Sequence, residues 1–89
     1  MINSEPFYIY LKKQRIKVGL NQTHLAQALK VASSTICYIE AGNYSRFPLD
    51  KVLSLAKVLR IDQDQFASLW VDAALDEQRI KMHAKIYKL

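Results

Sequence analysis

Apolar residues recur along this chain every three or four positions, and no alternating run is long enough for a half-buried strand. The pattern predicts an all-helical chain. The first segment is expected to start at Ser4, a good N-cap, with Pro6 in the first turn, where its missing N–H costs nothing. Phe7, Tyr8, Leu11, Ile16 and Val18 approximate its apolar stripe, and Gly19 ends it. A second segment opens at the N-cap candidate Asn21 and carries Leu25, Ala26 and Leu29. The link Lys30 to Ala32 leads into a third, Ser33 to Ala41, with Ile36 and Ile39 facing inward and Gly42 as its stop. After a polar loop, Asn43 to Arg46, Pro48 marks a fourth segment. There Leu49, Val52, Leu53, Ala56 and Leu59 repeat with the spacing of an amphipathic helix. The fifth starts at Asp62, with Gln65 three residues on in the manner of a capping box. Its inner face is Phe66, Leu69, Trp70 and Ala73. Beyond Asp76 the apolar residues thin out, and the pattern fits either a continued helix or a frayed end.

Composition narrows the class. Eighty-nine residues, 51% of them hydrophobic, suffice for one globular domain with a modest core. No apolar run approaches the roughly 20 residues that span a bilayer, and Met1 to Pro6 lack the basic-then-apolar order of a secretory signal. The lone Cys37 has no internal partner for a disulfide, which suits a reducing cytoplasm. The net charge of +5 is unevenly spread. Residues 1–46 hold six basic side chains (Lys12, Lys13, Arg15, Lys17, Lys30, Arg46) against Glu5 and Glu40, while residues 47–89 are nearly balanced. A basic first half suits a nucleic-acid partner, although charge alone fits a solvated helix face equally well.

Chemistry for catalysis is missing from the pattern. The sequence offers no carboxylate pair, no Ser/His/Asp set and no glycine-rich phosphate loop, so neither an enzyme nor a cofactor is expected. His24 and His83 lack metal-spaced partners and are expected at the surface, and no metal is expected. Cys37 has no strongly basic neighbours that would make it a redox switch.

Arg15 to Gln22, Leu25-Ala26, Leu29, Val31, Ser34-Thr35-Ile36, Ile39-Glu40 and Gly42 resemble the XRE/Cro/phage-repressor helix-turn-helix family over about residues 8–61. The resemblance implies an all-α, five-helix lambda repressor-like DNA-binding domain, its helix-turn-helix in helices 2 and 3, with a C-terminal helical extension. It divides the chain into a DNA-binding domain, residues 5–61, and a C-terminal helix, residues 62–89, that closes the core and dimerises or binds a partner. Two helices joined by a three-residue turn cross steeply, and Ala26 is small enough for their contact. The third segment then stands proud, its first turn free to enter a major groove.

Carried over position by position, the resemblance implies that Gln22 clamps a phosphate and braces a base-reading neighbour. Ser33, Ser34 and Tyr38 fall where base edges are read, Thr35 where a hydroxyl meets the backbone, and Asn43 and Arg46 in the phosphate-contacting loop, with Asn21 beside them. Arg15 and Glu40 are implied to be a structural ion pair between the first and third helices. Phe66, Leu69 and Trp70 are expected as core, dimer or partner contacts.

Three departures stand out. Lys30 occupies the place of a usual glycine, Ala32 that of a usual Ser or Thr cap, and the third segment lacks the Arg, Lys, Gln or Asn that make bidentate contacts to bases. Direct readout is therefore expected to be weak per subunit. The implied function is a sequence-specific regulator of transcription on double-stranded DNA, a repressor acting as a homodimer on a palindromic operator, cytoplasmic and at the nucleoid when bound. The alternative is an antitoxin or other protein-binding module that keeps the fold and neutralises its partner through the C-terminal helix.

Overall fold

The computed structural model describes residues 5–87, with side chains described as far as Met82. Ser4 therefore lies outside the described residues. Five helices form, α1 (Phe7–Lys17), α2 (Gln22–Leu29), α3 (Ser33–Ile39), α4 (Val52–Val58) and α5 (Gln63–Tyr87), and no strand occurs among the described residues. Two single 3-10 turns, Tyr44–Arg46 and Leu49–Lys51, connect α3 to α4. The chain is an all-α helix-turn-helix fold.

Local chemistry sets most of the ends. Asn21 caps α2, its Oδ1 accepting the His24 N–H at 2.7 Å. Asp62 does the same for α5, its Oδ2 accepting the Gln65 N–H at 2.9 Å. At the start of α1 Pro6 is the residue before the first helical one, and its carbonyl accepts from Ile9 and Tyr10. The proline thus sits one place earlier than the sequence suggests. Four connections share one stop, in which a left-handed residue is followed by an N–H that reaches back five residues. Gly19 and Gly42, at φ +84° and +93°, meet the conformational demand freely. Lys30 (φ 58°) and Arg60 (φ 60°) meet it with a Cβ present, at about 1–2 kcal/mol of strain each. Their positive charge beside a helix C-terminus offsets part of that, about 0.3–1 kcal/mol.

The core gathers the inner faces of all five helices. Ile36, Leu55, Ala56 and Phe66 are completely buried, with Leu11, Leu25, Leu29, Ile39 and Leu59 nearly so. One end is aromatic. Trp70 lies 5.3 Å from Phe47 and 5.4 Å from Tyr44, ring centre to ring centre, and Phe7 touches both Tyr44 and Phe66. Such tilted contacts favour rings whose edges meet neighbouring faces. Gln14 fastens α1 to the end of α4, its Nε2 donating to the Leu59 carbonyl at 2.9 Å.

Several expectations are corrected here. Residues 43–46 are not simply a polar loop, because Tyr44 turns into the core. The buried stripe of α4 is Val52, Leu55, Ala56 and Leu59, while Leu49 is 81% exposed and Leu53 half exposed. Leu49 opens a 3-10 turn whose tighter winding shifts the helical phase. Ile16 is exposed, and Arg15 takes the buried place beside it. Of the core, dimer or partner roles expected for Phe66, Leu69 and Trp70, the core role is the one Phe66 and Trp70 take, with almost no surface left to offer, while Leu69 is half-buried. The helix runs on past Asp76 without a break.

Candidate nucleic-acid interface

Beneath the helix-turn-helix lies a small polar hub. Arg15 on α1 grips Glu40 at the end of α3 with both arms of its guanidinium, Nε to Oε2 at 2.7 Å and Nη2 to Oε1 at 3.1 Å. Nη1 donates to the Leu20 carbonyl at 2.8 Å. Gln22, first residue of α2, adds an Nε2 bond to Glu40 Oε1 at 3.0 Å. The Arg15 and Glu40 side chains are only 8% and 5% exposed. Every buried side-chain polar atom among the described residues is bonded. One carboxylate thus ties the first, second and third helices together, and its bidentate geometry fixes their relative angle.

Above this hub the turn sets α3 outward. Val31 N–H bonds back to the Ala26 carbonyl at 3.0 Å across the left-handed Lys30, and Ala32 precedes α3 without a side-chain cap. Ile36 and Ile39 are buried, whereas Ser33, Ser34, Cys37 and Tyr38 are exposed and Thr35 is half-buried. The helix is therefore bare on the side away from the core.

The turn after α3 flanks that bare face. Asn43 is partly buried and Arg46 is exposed. The Arg46 guanidinium carbon lies 4.7 Å from the centre of the Tyr38 ring, a cation–π contact between the turn and the helix. Asn21 is exposed, and its capping bond uses only its oxygen, leaving the amide N–H groups to donate outward. Gln22 has likewise committed one N–H to Glu40 and keeps a second. Asn21, Gln22, Ser33, Ser34, Thr35, Tyr38, Asn43 and Arg46 thus stand on α2, α3 and the turn that follows, while Phe66, Leu69 and Trp70 belong to α5.

Two residues of this region escape sequence reasoning. Tyr44 is buried against Phe7 and Trp70 and holds the turn from below as an aromatic anchor, its hydroxyl pushed up to about 12 by that burial. Glu77 on α5 holds it from the side, Oε1 accepting the Ser45 N–H at 3.1 Å and Oε2 the Ser45 hydroxyl at 3.2 Å. Lys81 pairs with the same carboxylate at 3.0 Å. Burial alone would raise the Glu77 carboxyl, but the bonds from Lys81 and Ser45 outweigh it and hold the group below its ordinary value. A signal for Glu77 did exist in the sequence. Phe66, Trp70, Ala73 and Glu77 follow helical spacing, so a carboxylate stands in the core-facing register.

Among the described residues no helix is long and apolar enough to cross a membrane, and no cluster of His, Cys, Asp and Glu could hold a metal ion. A search of the curated proteins and one of the solved structures returned no match. A family model described as a helix-turn-helix domain matches residues 9–69, from α1 into the first turns of α5. That span takes in the hub, the bare face of α3 and the turn carrying Arg46, and membership supports DNA binding: the chain belongs to the helix-turn-helix domain family.

Proposed function

We propose that this protein is a sequence-specific regulator of transcription that binds double-stranded DNA, a repressor of the XRE/Cro kind working in the cytoplasm as a homodimer on a palindromic operator. The observation that carries this reading is the bare outer face of α3, polar and exposed while its inner face is buried, with Arg46 stacked on Tyr38 at its edge. In this reading Ser33, Ser34 and Tyr38 meet base edges. Thr35, Asn21, Gln22, Asn43 and Arg46 meet the backbone, where arginine and amide donors position a domain on the duplex. Serines make few exclusive base contacts, so specificity draws on DNA shape and on the spacing of two half-sites.

Residues 5–61 form the DNA-binding part in this proposal, and residues 62–89 add the second role. Val71, Leu75 and Met82 are exposed on α5 at positions spaced by four and seven, on the side opposite Phe66, Trp70 and Ala73. A second copy covering that stripe gives the homodimer. The same stripe favours one alternative, an antitoxin or related module that masks a partner protein there.

Titration of the full chain with the duplex upstream of its own gene, at several salt concentrations, tests the reading. Saturable binding that weakens steeply with salt is expected, since each phosphate contact contributes about 0.9 to the logarithmic slope. No binding at low salt, together with a partner protein that co-purifies in fixed ratio, would overturn it in favour of the alternative.

A further inference from the structure

We propose that Glu77 is a positioning residue for the DNA-facing turn, setting from α5 the place at which Asn43 and Arg46 are presented. The inference rests on the reading above that this turn meets the phosphate backbone.

The turn Tyr44–Arg46 is three residues long and cannot satisfy its own first N–H groups. Asn43 precedes it but makes no side-chain cap. Glu77, 32 residues further along the chain, supplies that cap instead, with one oxygen on the Ser45 N–H and the other on the Ser45 hydroxyl. A carboxylate accepting a backbone N–H is about twice as strong a partner as a neutral oxygen. Each residue of the turn then has its own anchor. Tyr44 packs inward on Phe7 and Trp70, Ser45 is held by α5, and Arg46 lies over Tyr38. Without Glu77, Tyr44 and Phe47 still hold both ends of the turn in the core, but Ser45 between them loses its hold. The Arg46 side chain then keeps only its contact with the exposed Tyr38. A bare carboxylate near a phosphate would repel it. Glu77 is instead buried and paired with Lys81, whose positive charge counters that repulsion.

The test compares the wild-type chain with E77A, E77Q, R46A and the E77A/R46A double variant, well below their melting temperatures. Amide exchange at Ser45 and DNA affinity across a salt series are measured together. In E77A the helical content stays, Ser45 exchange accelerates about tenfold, affinity falls about tenfold and the salt slope drops by about one. R46A shows the same loss of affinity and slope, and the double variant loses little more than either single change, because both act through one contact. E77Q, whose amide oxygen still accepts the Ser45 N–H, recovers most of the affinity. Ser45→Ala removes only the hydroxyl bond and lowers affinity about threefold, which keeps the comparison open should E77A melt early. A folded E77A with wild-type affinity and slope, or losses that multiply in the double variant, overturns the positioning role. Failure of the wild type to bind any duplex instead overturns the DNA-binding reading beneath it.

Discussion

Two buried carboxylates hold this molecule together in different ways. Glu40 sits under the helix-turn-helix and is answered by a bidentate arginine and a glutamine from two other helices. Glu77 sits beside the next turn and is answered by a backbone N–H, a serine hydroxyl and a lysine one turn along its own helix. The first is answered above all by an arginine whose side chain is itself buried and has little water to turn to. The second holds partners that water could also serve, since Ser45 and Lys81 are exposed. Stranding a partner is therefore severe at Glu40 and mild at Glu77. The first carboxylate fixes the fold, and the second adjusts one segment of it.

The largest predicted effect follows from that asymmetry. Arg15→Ala leaves Glu40 buried without its counter-charge and should cost about 3–5 kcal/mol in chemical denaturation. Replacing both partners by apolar residues of similar size should cost clearly less than the single change. A double variant as unstable as Arg15→Ala would show that geometry, not charge, makes the hub necessary. Should Arg15→Ala keep its melting temperature yet lose DNA affinity, Arg15 would be a direct contact rather than a structural one.

Glu77→Ala should cost about 1 kcal/mol, because water can replace its hold on Ser45. A loss as large as that of Arg15→Ala would erase the contrast between the two sites. The same carboxyl has a pH signature. Its folded value lies below the ordinary 4.5, so its contribution is complete above the unfolded value and fades as pH falls through the lower, folded one. Thermal melts from pH 6 down to about 3 should therefore show wild type losing stability faster than E77Q over that acid limb. Parallel curves would mean the contacts to Ser45 and Lys81 do not favour the ionised form. The smallest effect is reserved for Lys81→Met, about 0.5 kcal/mol for a pair one helical turn apart whose lysine stays in solvent, seen as a small shift in denaturation midpoint.

These contrasts also explain what could be read from the sequence. Helix count, the capping residues Asn21 and Asp62, and the glycine stops were legible because each depends on neighbours within four residues. The family match likewise follows a pattern carried by side chains of fixed spacing. The α4 stripe is ambiguous in the sequence because two overlapping stripes share Val52, Ala56 and Leu59; packing against the core selects Leu55 over Leu53, and Leu49 lies in the 3-10 turn before the helix. Tyr44 sat among polar residues and had no periodic partner to announce its burial. The stop at Arg60 is not legible in the sequence, because nothing in that side chain signals a left-handed backbone. Phe66 and Trp70 were legible as apolar, but periodicity cannot say whether a face meets its own core or another chain. At the candidate interface the residue types are plain in the sequence, whereas the stacking of Arg46 on Tyr38 and the grip of Glu77 on Ser45 join segments whose spacing follows no local rule.

The stops at Lys30 and Arg60 have a wider consequence. Two of the four left-handed positions are filled by residues that a glycine would outdo on conformational grounds. The domain therefore folds somewhat below the stability its own backbone allows. In a chain of this size, whose whole margin is about 5–15 kcal/mol, that shortfall limits how many further mutations it can absorb before unfolding. Substituting glycine at either stop would widen that tolerance, and could serve as the starting background for variants of α3 too destabilising to study otherwise.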